Sequence, residues 1–212
     1  AGLLCHDPTQ PIANRLRRLQ RVGVQGITNW PAIGFWDGCV RDALEAEGFG
    51  LSAEIAMLAA ARRMGFATFG FALTPDDAYE FARSGVDAMI LNIGLTKEIQ
   101  NSTERVNQLE LAASRARQLR SAVARSGRRP VCLVFGGSIT GAIDFERILR
   151  QVDLHGFAGG SSFERIPVSN VIASKVRAFK SLRRGSADRL PAFGSMIGNS
   201  SCMQDLFDHI EA

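Results

Sequence analysis

Two acidic side chains in this sequence stand where they could transfer protons. Asp7 follows a short apolar run and precedes Pro8, so it could act as a base, ligate a metal, or close an Asx turn. Glu54 lies one turn into a predicted helix, where it could face a ligand or stabilise the helix start through the dipole. Both alternatives stay open for each residue, and the identity of any metal at Asp7 is unknown.

The other candidates are neutral groups and one arginine. Neutral side chains bind ligands by hydrogen bonds but cannot act as general bases at neutral pH. Gly136-Gly137 and Gly159-Gly160 can expose backbone N–H groups to a phosphate or carboxylate. Arg165 could clamp an anion, or pair with Glu164 or a neighbouring helix. The predicted ligand-binding residues are Cys5, Asn29, Asn92, Thr96, Gly136, Gly137, Ser138, Gly160, Ser161, Ser162 and Arg165.

Histidine, the most frequent proton-transfer residue, is scarce in this chain. The three histidines are His6, His155 and His209, and of these only His6 follows closely on an apolar run. The sequence shows no Ser/His/Asp arrangement and no cluster with metal-ligand spacing. This scarcity favours ligand binding over catalysis.

The elements that must position these residues recur as a short apolar run, a polar loop and an amphipathic helix. Short, nearly continuous apolar runs are typical of parallel strands buried on both faces. The predicted strands are 2–5, 26–29, 67–72, 88–93, 130–135 and 156–159. The predicted helices are 12–21, 51–64, 76–83, 105–125, 143–151 and 168–182. Thr74 and Asp77 form a capping-box pattern at one helix start.

This alternation predicts an α/β fold with a parallel sheet. Doubly wound and barrel folds both fit. The barrel is favoured because polar loops follow all six predicted strands, whereas a doubly wound fold places its ligand-binding loops at one switch point. We therefore predict a TIM-type (βα)8 barrel with six βα units present and its first two strands missing before Ala1. The loops at Gly136-Gly137 and Gly159-Gly160 then follow strands seven and eight, where such barrels bind phosphate groups.

Composition is that of an ordinary globular protein, with 46% hydrophobic and 22% charged residues and a net charge of +4. The basic excess is spread along helices, which favours solvated helix faces over a nucleic-acid stripe. No apolar run approaches the length of a membrane span, and no signal peptide is visible. The four cysteines lie far apart in the sequence, and we expect them to be free thiols in a reducing cytosol. We expect a cytoplasmic protein without a membrane partner.

Several strings together resemble one family. They are residues 5–8, 23–31, 94–96, 136–139 and 156–167, and the last is the most specific. They are similar to the phosphoenolpyruvate-hydrolase-like family, also described as TIM-barrel signal-transduction proteins. The resemblance implies a barrel of the phosphoenolpyruvate/pyruvate class over 1–182. The family often has histidine where this chain has Asn92 and Phe135, and this departure puts catalysis in doubt more than binding.

The last residues resemble a different family. After a polar linker at 183–192, residues 193–212 look like the opening of the AAA+ domain of NtrC-type enhancer-binding activators. Ser200 or Ser201 would cap a helix there. The resemblance implies a Walker A loop about twenty residues further on. ATP and magnesium would then serve that downstream domain, and no cofactor is expected within this chain.

Two hypotheses follow. In the first, the barrel senses a small anionic metabolite for a bacterial transcriptional activator, which works with the alternative sigma factor. RNA polymerase, DNA and further copies of the protein would then be partners, the first two through downstream domains. In the alternative, the barrel is a hydrolase or lyase acting on phosphoenolpyruvate or a related oxo-acid, with Asp7 and Glu54 as metal or proton-transfer groups.

Overall fold

The computed structural model describes residues 1–96 and 101–160, and the backbone of 192–193 and 196–197. The chain divides into two units, Ala1–Ile166 and Pro167–Ala212. The helices of the first unit are α1 (Ile12–Arg21), α2 (Gly38–Ala46), α3 (Leu51–Arg63), α4 (Pro75–Ser84), α5 (Ser102–Arg125) and α6 (Ala142–Leu149). A short 3-10 helix spans Ile33–Phe35. The strands are β1 (Gly26–Thr28), β2 (Ala67–Ala72), β3 (Ala88–Asn92), β4 (Val131–Phe135) and β5 (Gly156–Ala158).

The five strands of the first unit form one parallel sheet in the order β1-β2-β3-β4-β5. Spatial order therefore follows chain order throughout, and the sheet has no switch point of the doubly wound kind. A helix separates each strand from the next in the chain, which is the right spacing for parallel crossovers. The fold is an α/β fold of the TIM-barrel type, as the sequence predicts.

The first predicted strand, 2–5, is reduced to a single bridge. Gly2 pairs in parallel with Thr28, and the Leu3 N–H donates to the Thr28 carbonyl oxygen at 2.9 Å. Immediately afterwards the chain turns at Asp7, where the side chain accepts hydrogen bonds from Thr9. Turn formation at Asp7-Pro8 ends the extended segment before a ladder can develop. The unit at the start of the chain is thus shorter than predicted.

The helices agree closely with their predicted ranges where the structure describes them. Thr74 caps α4 as predicted, since its hydroxyl accepts from the Asp77 N–H at 3.1 Å and Asp77 accepts from the Thr74 N–H at 3.2 Å. Gly85 ends the same helix with φ of 85°, the left-handed stop that glycine permits. Helix α2 was not predicted. The predicted helix 168–182 lies outside the described residues.

The core lies between the sheet and its helices. Gly70 faces α4 so closely that a Cβ there would lie 2.9 Å from the Phe81 Cβ, so neighbouring Phe71 points to the opposite face of the sheet. The fully buried core includes Met57 of α3, Phe81 of α4, Met89 and Leu91 of β3, Leu119 of α5 and Val134 of β4. This apolar layer fixes the strand ends and therefore the loops that follow them.

In the second unit, a two-stranded antiparallel pair joins β6 (Ala192–Phe193) to β7 (Met196–Ile197), with Ala192 opposite Ile197. The sequence did not predict this hairpin. The predicted linker up to residue 191 and the helix capped by Ser200 or Ser201 lie outside the described residues. Within the described part of the chain, no helix combines the length and apolar character that crossing a bilayer requires.

Candidate functional site

A cavity of about 420 Å³ lies beyond the carboxyl ends of the Gly2 bridge and β1. Its walls come from the segment after Gly2, the loop after β1, helix α2 and the start of α3. The residues that line it include Leu4, Cys5, His6, Trp36, Leu44, Phe49 and Glu54. In open parallel sheets and barrels this is the side on which ligands bind. The lining is mostly apolar, and Glu54 is the one carboxylate among the described residues that form it.

Glu54 is held in this wall by two neutral donors. The Ile33 N–H donates to Oε1 at 2.7 Å, and the Asn29 side-chain amide donates to Oε2 at 2.9 Å. The residue is only 1% exposed. Its place in the first turn of α3 directs the carboxylate towards the loop after β1, so the structure brings Glu54 to a cavity, one of the two alternatives the sequence left open.

Burial raises the pKa of Glu54 from its usual 4.5 to about 7. The hydrogen bonds from Ile33 and Asn29 act in the opposite direction and only partly offset it. The charges of two further residues, Asp77 and Arg41, oppose each other in their effect on this carboxyl. Near pH 7 Glu54 is therefore poised between its acid and its carboxylate, the state that general acid–base chemistry requires.

Asn29 is the residue that orients Glu54. It follows β1 directly and is fully buried. Its Oδ1 accepts from the Phe71 N–H at 2.7 Å, and its amide donates to the Phe71 carbonyl at 3.1 Å as well as to Glu54. A ligand could contact this amide only by replacing one of those bonds. Asn29 thus joins the end of β1 to β2 by hydrogen bonds and donates a further hydrogen bond to the Glu54 carboxylate.

A charged cluster lies behind the cavity. Arg41 of α2 bonds to Glu45 at 3.0 Å and to the buried Asp77 of α4 at 3.0 Å. Asp77 is at the same time the capping-box acid of α4. The cluster therefore ties α2 to α4, and Arg41 has both its observed ion pairs elsewhere than at Glu54. Arg41 was not a sequence candidate, because Asp77 lies 36 residues away on α4 and only the fold brings the two side chains together.

Asp7 and Cys5 flank the same region with different roles. Both the hydroxyl and the N–H of Thr9 hold the pKa of Asp7 below its usual value, so the carboxyl stays ionised and closes an Asx turn. Cys5 lines the cavity, and burial together with the nearby charge of Glu54 raises the pKa of its thiol. Among the described residues, no group of three or more His, Cys, Asp or Glu side chains could hold a metal ion.

The loops after β3 and β4 pack tightly against each other. Asn92 is buried, and its Oδ1 accepts from the Gly94 N–H at 2.9 Å. The Gly137 N–H donates to the Gly94 carbonyl at 2.8 Å, so this predicted anion donor is used within the protein. A Cβ on Gly136, whose φ is 77°, would lie 2.1 Å from the Gly94 oxygen. The glycines at 136 and 137 therefore have a steric reason to be there.

The remaining predicted residues are less closely gathered. Ser138 is buried and Thr96 is half-buried. A Cβ at Gly160 would lie 3.8 Å from the Phe135 ring and so would meet only ordinary contacts. Ser161, Ser162 and Arg165 lie outside the described residues. The anion site predicted from these loops stays a prediction.

An aromatic cluster covers the face of the sheet opposite α4, at the carboxyl ends of the strands. The Trp30 ring lies 5.1 Å from Phe35 and 4.9 Å from Phe71, and Phe71 lies 5.3 Å from Phe135. Trp30 is 42% exposed, so the cluster is open on one side. It packs the loop after β1 onto β2 and β4.

The model of one protein family, described as phosphoenolpyruvate hydrolase-like, matches residues 1–182 of this chain. The chain belongs to the phosphoenolpyruvate hydrolase-like family. The family assigned from the strings in the sequence is therefore confirmed. The resemblance of residues 193–212 to an AAA+ domain receives no such support.

Two curated relatives extend the comparison. The ToMV resistance protein Tm-1(GCR237) of Solanum lycopersicum is 34% identical over 183 residues, which cover 86% of this chain and 24% of that protein. Protein y4pA of Sinorhizobium fredii, described as a candidate transcriptional regulatory protein, is 28% identical over 181 residues, or 85% of this chain and 30% of that protein. The chain thus spans less than a third of the length of these relatives.

Among solved structures, a sialic acid aldolase of Ruminococcus gnavus with its catalytic lysine mutated has a TM-score of 0.48 at 13% identity. The match covers 82% of this chain and 55% of the aldolase.

In this member of the phosphoenolpyruvate hydrolase-like family, Asn92 and Phe135 are direct partners in the register of β3 and β4. These are the two positions where the resemblance implies histidines in other members. The structure therefore brings together, at one point of the sheet, two side chains that cannot transfer protons near neutral pH. Within the described residues, the carboxyl group poised for that chemistry is Glu54.

Proposed function

We propose that this chain is the small-molecule-sensing domain of a bacterial transcriptional regulator, and that the ligand enters the cavity beside Glu54. The observation that carries the proposal is that cavity, a mostly apolar space with one interior carboxyl at the ligand-binding side of a parallel sheet. Its volume of about 420 Å³ falls within the usual range for small-molecule sites.

Membership of the phosphoenolpyruvate hydrolase-like family and the regulatory description of y4pA support the regulatory part of the proposal. The finer hypothesis is that an AAA+ domain follows, binds ATP and magnesium, and engages the alternative sigma factor with RNA polymerase on DNA. The linker at 183–192 would join the two, and homo-oligomers would form through the longer protein. For a signal to pass, the ligand must favour one of two packings of the sensing domain.

The anionic metabolite predicted at Gly136-Gly137, Gly160 and Arg165 is a separate proposal. It rests on loop sequence, whereas the cavity beside Glu54 rests on geometry. The two sites differ in the loops that form them, so point substitutions can separate them.

Ligand binding is tested by a thermal-shift screen of phosphorylated, carboxylated and amine metabolites against the 212-residue chain. Compounds that raise the melting temperature are then tested on Leu44→Trp, which places a larger ring in the cavity wall. A compound that binds in the cavity loses its effect in this variant. A screen without any stabilising compound would count against the proposed function.

The regulatory part has a direct test in the gene. The codons after Ala212 should encode a Walker A loop within about forty residues, and the purified longer protein should hydrolyse ATP at a rate that the ligand changes. A downstream sequence without that motif would rule out an AAA+ activator and would leave the sensing domain to act through another partner.

A second candidate function is favoured by one observation, the pKa of about 7 at Glu54. A carboxyl of that acidity can donate and accept a proton at neutral pH, as hydrolysis of phosphoenolpyruvate or proton transfer in an oxo-acid requires. Asp7 stays ionised and could assist only as a charge or ligand. Turnover of such substrates by the chain, with metal ions added, and its loss in Glu54→Gln or Asp7→Asn would establish this function.

A further inference from the structure

The carboxylate of Glu54 is buried without a contacting cation in the described structure. Its observed hydrogen-bond donors, the Ile33 N–H and the Asn29 amide, are neutral. The ion pairs of the described residues do not include it, and Arg41, whose positive charge affects it, is bonded to Glu45 and Asp77. Buried carboxylates in proteins are as a rule paired with a positive charge.

The cavity wall around this carboxylate suits an organic cation that carries an apolar group. Phe49 and Trp36 supply aromatic rings, which attract cations as well as apolar groups. His6 packs edge-on against Phe49 with ring centroids 4.2 Å apart, which fixes that wall. No lysine or arginine is among the described lining residues.

We propose that the cavity binds a small organic ammonium ion, whose N–H groups bond to Glu54 and whose apolar body lies against Phe49, Leu44 and Trp36. The proposal rests on the proposed function, since it names the ligand class of the same cavity. Each oxygen of Glu54 accepts one hydrogen bond from the protein and has a second lone pair for the ligand. A ligand carboxylate would instead meet like charge in an apolar space.

The proposal implies that binding is linked to protons. Because the cation binds the ionised form of Glu54, it displaces the proton that this carboxyl retains near pH 7, and affinity rises as the pH increases through 7. Other titratable or charged groups in this region are His6 and Cys5 in the cavity wall, Arg15 on α1, whose charge acts on Cys5, Arg41 on α2 and Asp77 on α4. His6→Gln should retain the pH dependence if Glu54 is its source.

The test uses three probes that share a phenyl ring and differ in charge: benzylamine, benzyl alcohol and phenylacetate. Their affinities for the 212-residue chain are measured by titration calorimetry and by amide NMR shifts at pH 7.5. We expect benzylamine to bind at least about tenfold more tightly than benzyl alcohol. The reason is that its ammonium group is a charged donor to the Glu54 carboxylate, whereas the alcohol is a neutral donor. Phenylacetate should bind most weakly.

Two substitutions locate the effect. Glu54→Gln keeps the shape of the side chain and removes its charge, so the preference for benzylamine should fall by about tenfold while benzyl alcohol binds as before. Glu80→Gln, at the surface ion pair with Arg83, is the matched control and should change neither affinity. In the wild-type chain, calorimetry in buffers of different ionisation enthalpy should show proton release with benzylamine alone.

Equal affinity for benzylamine and benzyl alcohol in the wild-type chain would overturn the cation assignment, whatever the stability of the variants. A compound without an amine that stabilises the chain, and fails to do so in Leu44→Trp, would then leave the proposed function standing. Failure of all three probes to bind would overturn the cation assignment, whereas the proposed function fails only if the wider metabolite screen is also negative.

Discussion

Raising the pH should destabilise this protein through a single side chain, Glu54. Its pKa is about 7 in the folded chain and 4.5 when the residue is solvated, so between these values the folded state holds a proton that the unfolded state has released. Stability is therefore lost as the pH rises from about 4.5 to about 7. Each pH unit of that difference corresponds to about 1.36 kcal/mol.

The measurable part of this effect lies between pH 5 and pH 8. With the two pKa values given above, the contribution of Glu54 to the free energy of unfolding falls by about 2.5 kcal/mol over that range. The carboxyls with lowered pKa values, Asp7, Asp87 and Asp144, act with the opposite sign. Their contributions are present above the usual value of 3.8 and are lost only as the pH falls below it.

The assay is urea unfolding of the wild-type chain and Glu54→Gln at half-unit steps from pH 5 to pH 8. Because glutamine does not titrate, the free energy of unfolding of the variant should rise relative to wild type by about 2.5 kcal/mol across the range. Two curves that run parallel would refute the reasoning, since they would mean that Glu54 ionises in the folded chain as it does in water. NMR titration of the Glu54 side-chain carboxyl carbon measures the same pKa directly.

Two further substitutions test the packing that positions the site. Asn29→Ala leaves the buried N–H and carbonyl of Phe71 without partners, so the free energy of unfolding should fall by about 3 kcal/mol in urea denaturation. Gly136→Ala places a methyl group 2.1 Å from the Gly94 oxygen at a φ of 77°, and should lower the free energy of unfolding by about 3 kcal/mol or more.

Both substitutions have matched controls in the same chain. Asn14 is exposed, and Asn14→Ala should change stability by no more than about 0.5 kcal/mol. Gly127 has φ of 72° with nothing within 4 Å of the added methyl group, so Gly127→Ala should cost about 1 kcal/mol from backbone strain alone. A Gly136→Ala variant as stable as Gly127→Ala would contradict the close approach of the two loops.

The local pattern of the chain was enough to predict the elements. Periodicity of 3.6 residues gives α1 its observed bounds, Ile12–Arg21, and the Thr74–Asp77 capping box forms as its spacing predicts. These features depend on neighbours within one or two helical turns, so they can be read along the chain. The first strand is shorter than predicted because the turn at Asp7, also a local signal, ends the extended segment that residues 2–5 predict.

The candidate site was only partly accessible to that reasoning. Glu54 and Asn29 were named from their positions after glycines and strands, but their contact joins residues 25 apart, and the cavity needs walls from α2 and the loop at Phe49. Helix α2 was missed, and with it Leu44 and Arg41. The sequence predicts that Gly136 donates to an anion; the close approach of the Gly94 loop, which only the tertiary structure shows, adds a steric requirement for glycine.

The amino-acid sequence by itself determined the order of strands and helices, the family and the types of residue available at the strand ends. Those follow from periodicity, capping and short strings, which require no knowledge of distant contacts. Tertiary structure alone decided which carboxylate becomes buried and which stays in water. Asp7 and Glu54 are equivalent candidates in the sequence. In the fold, hydrogen bonds from Thr9 and exposure to solvent keep Asp7 ionised, whereas burial raises the pKa of Glu54 to about 7.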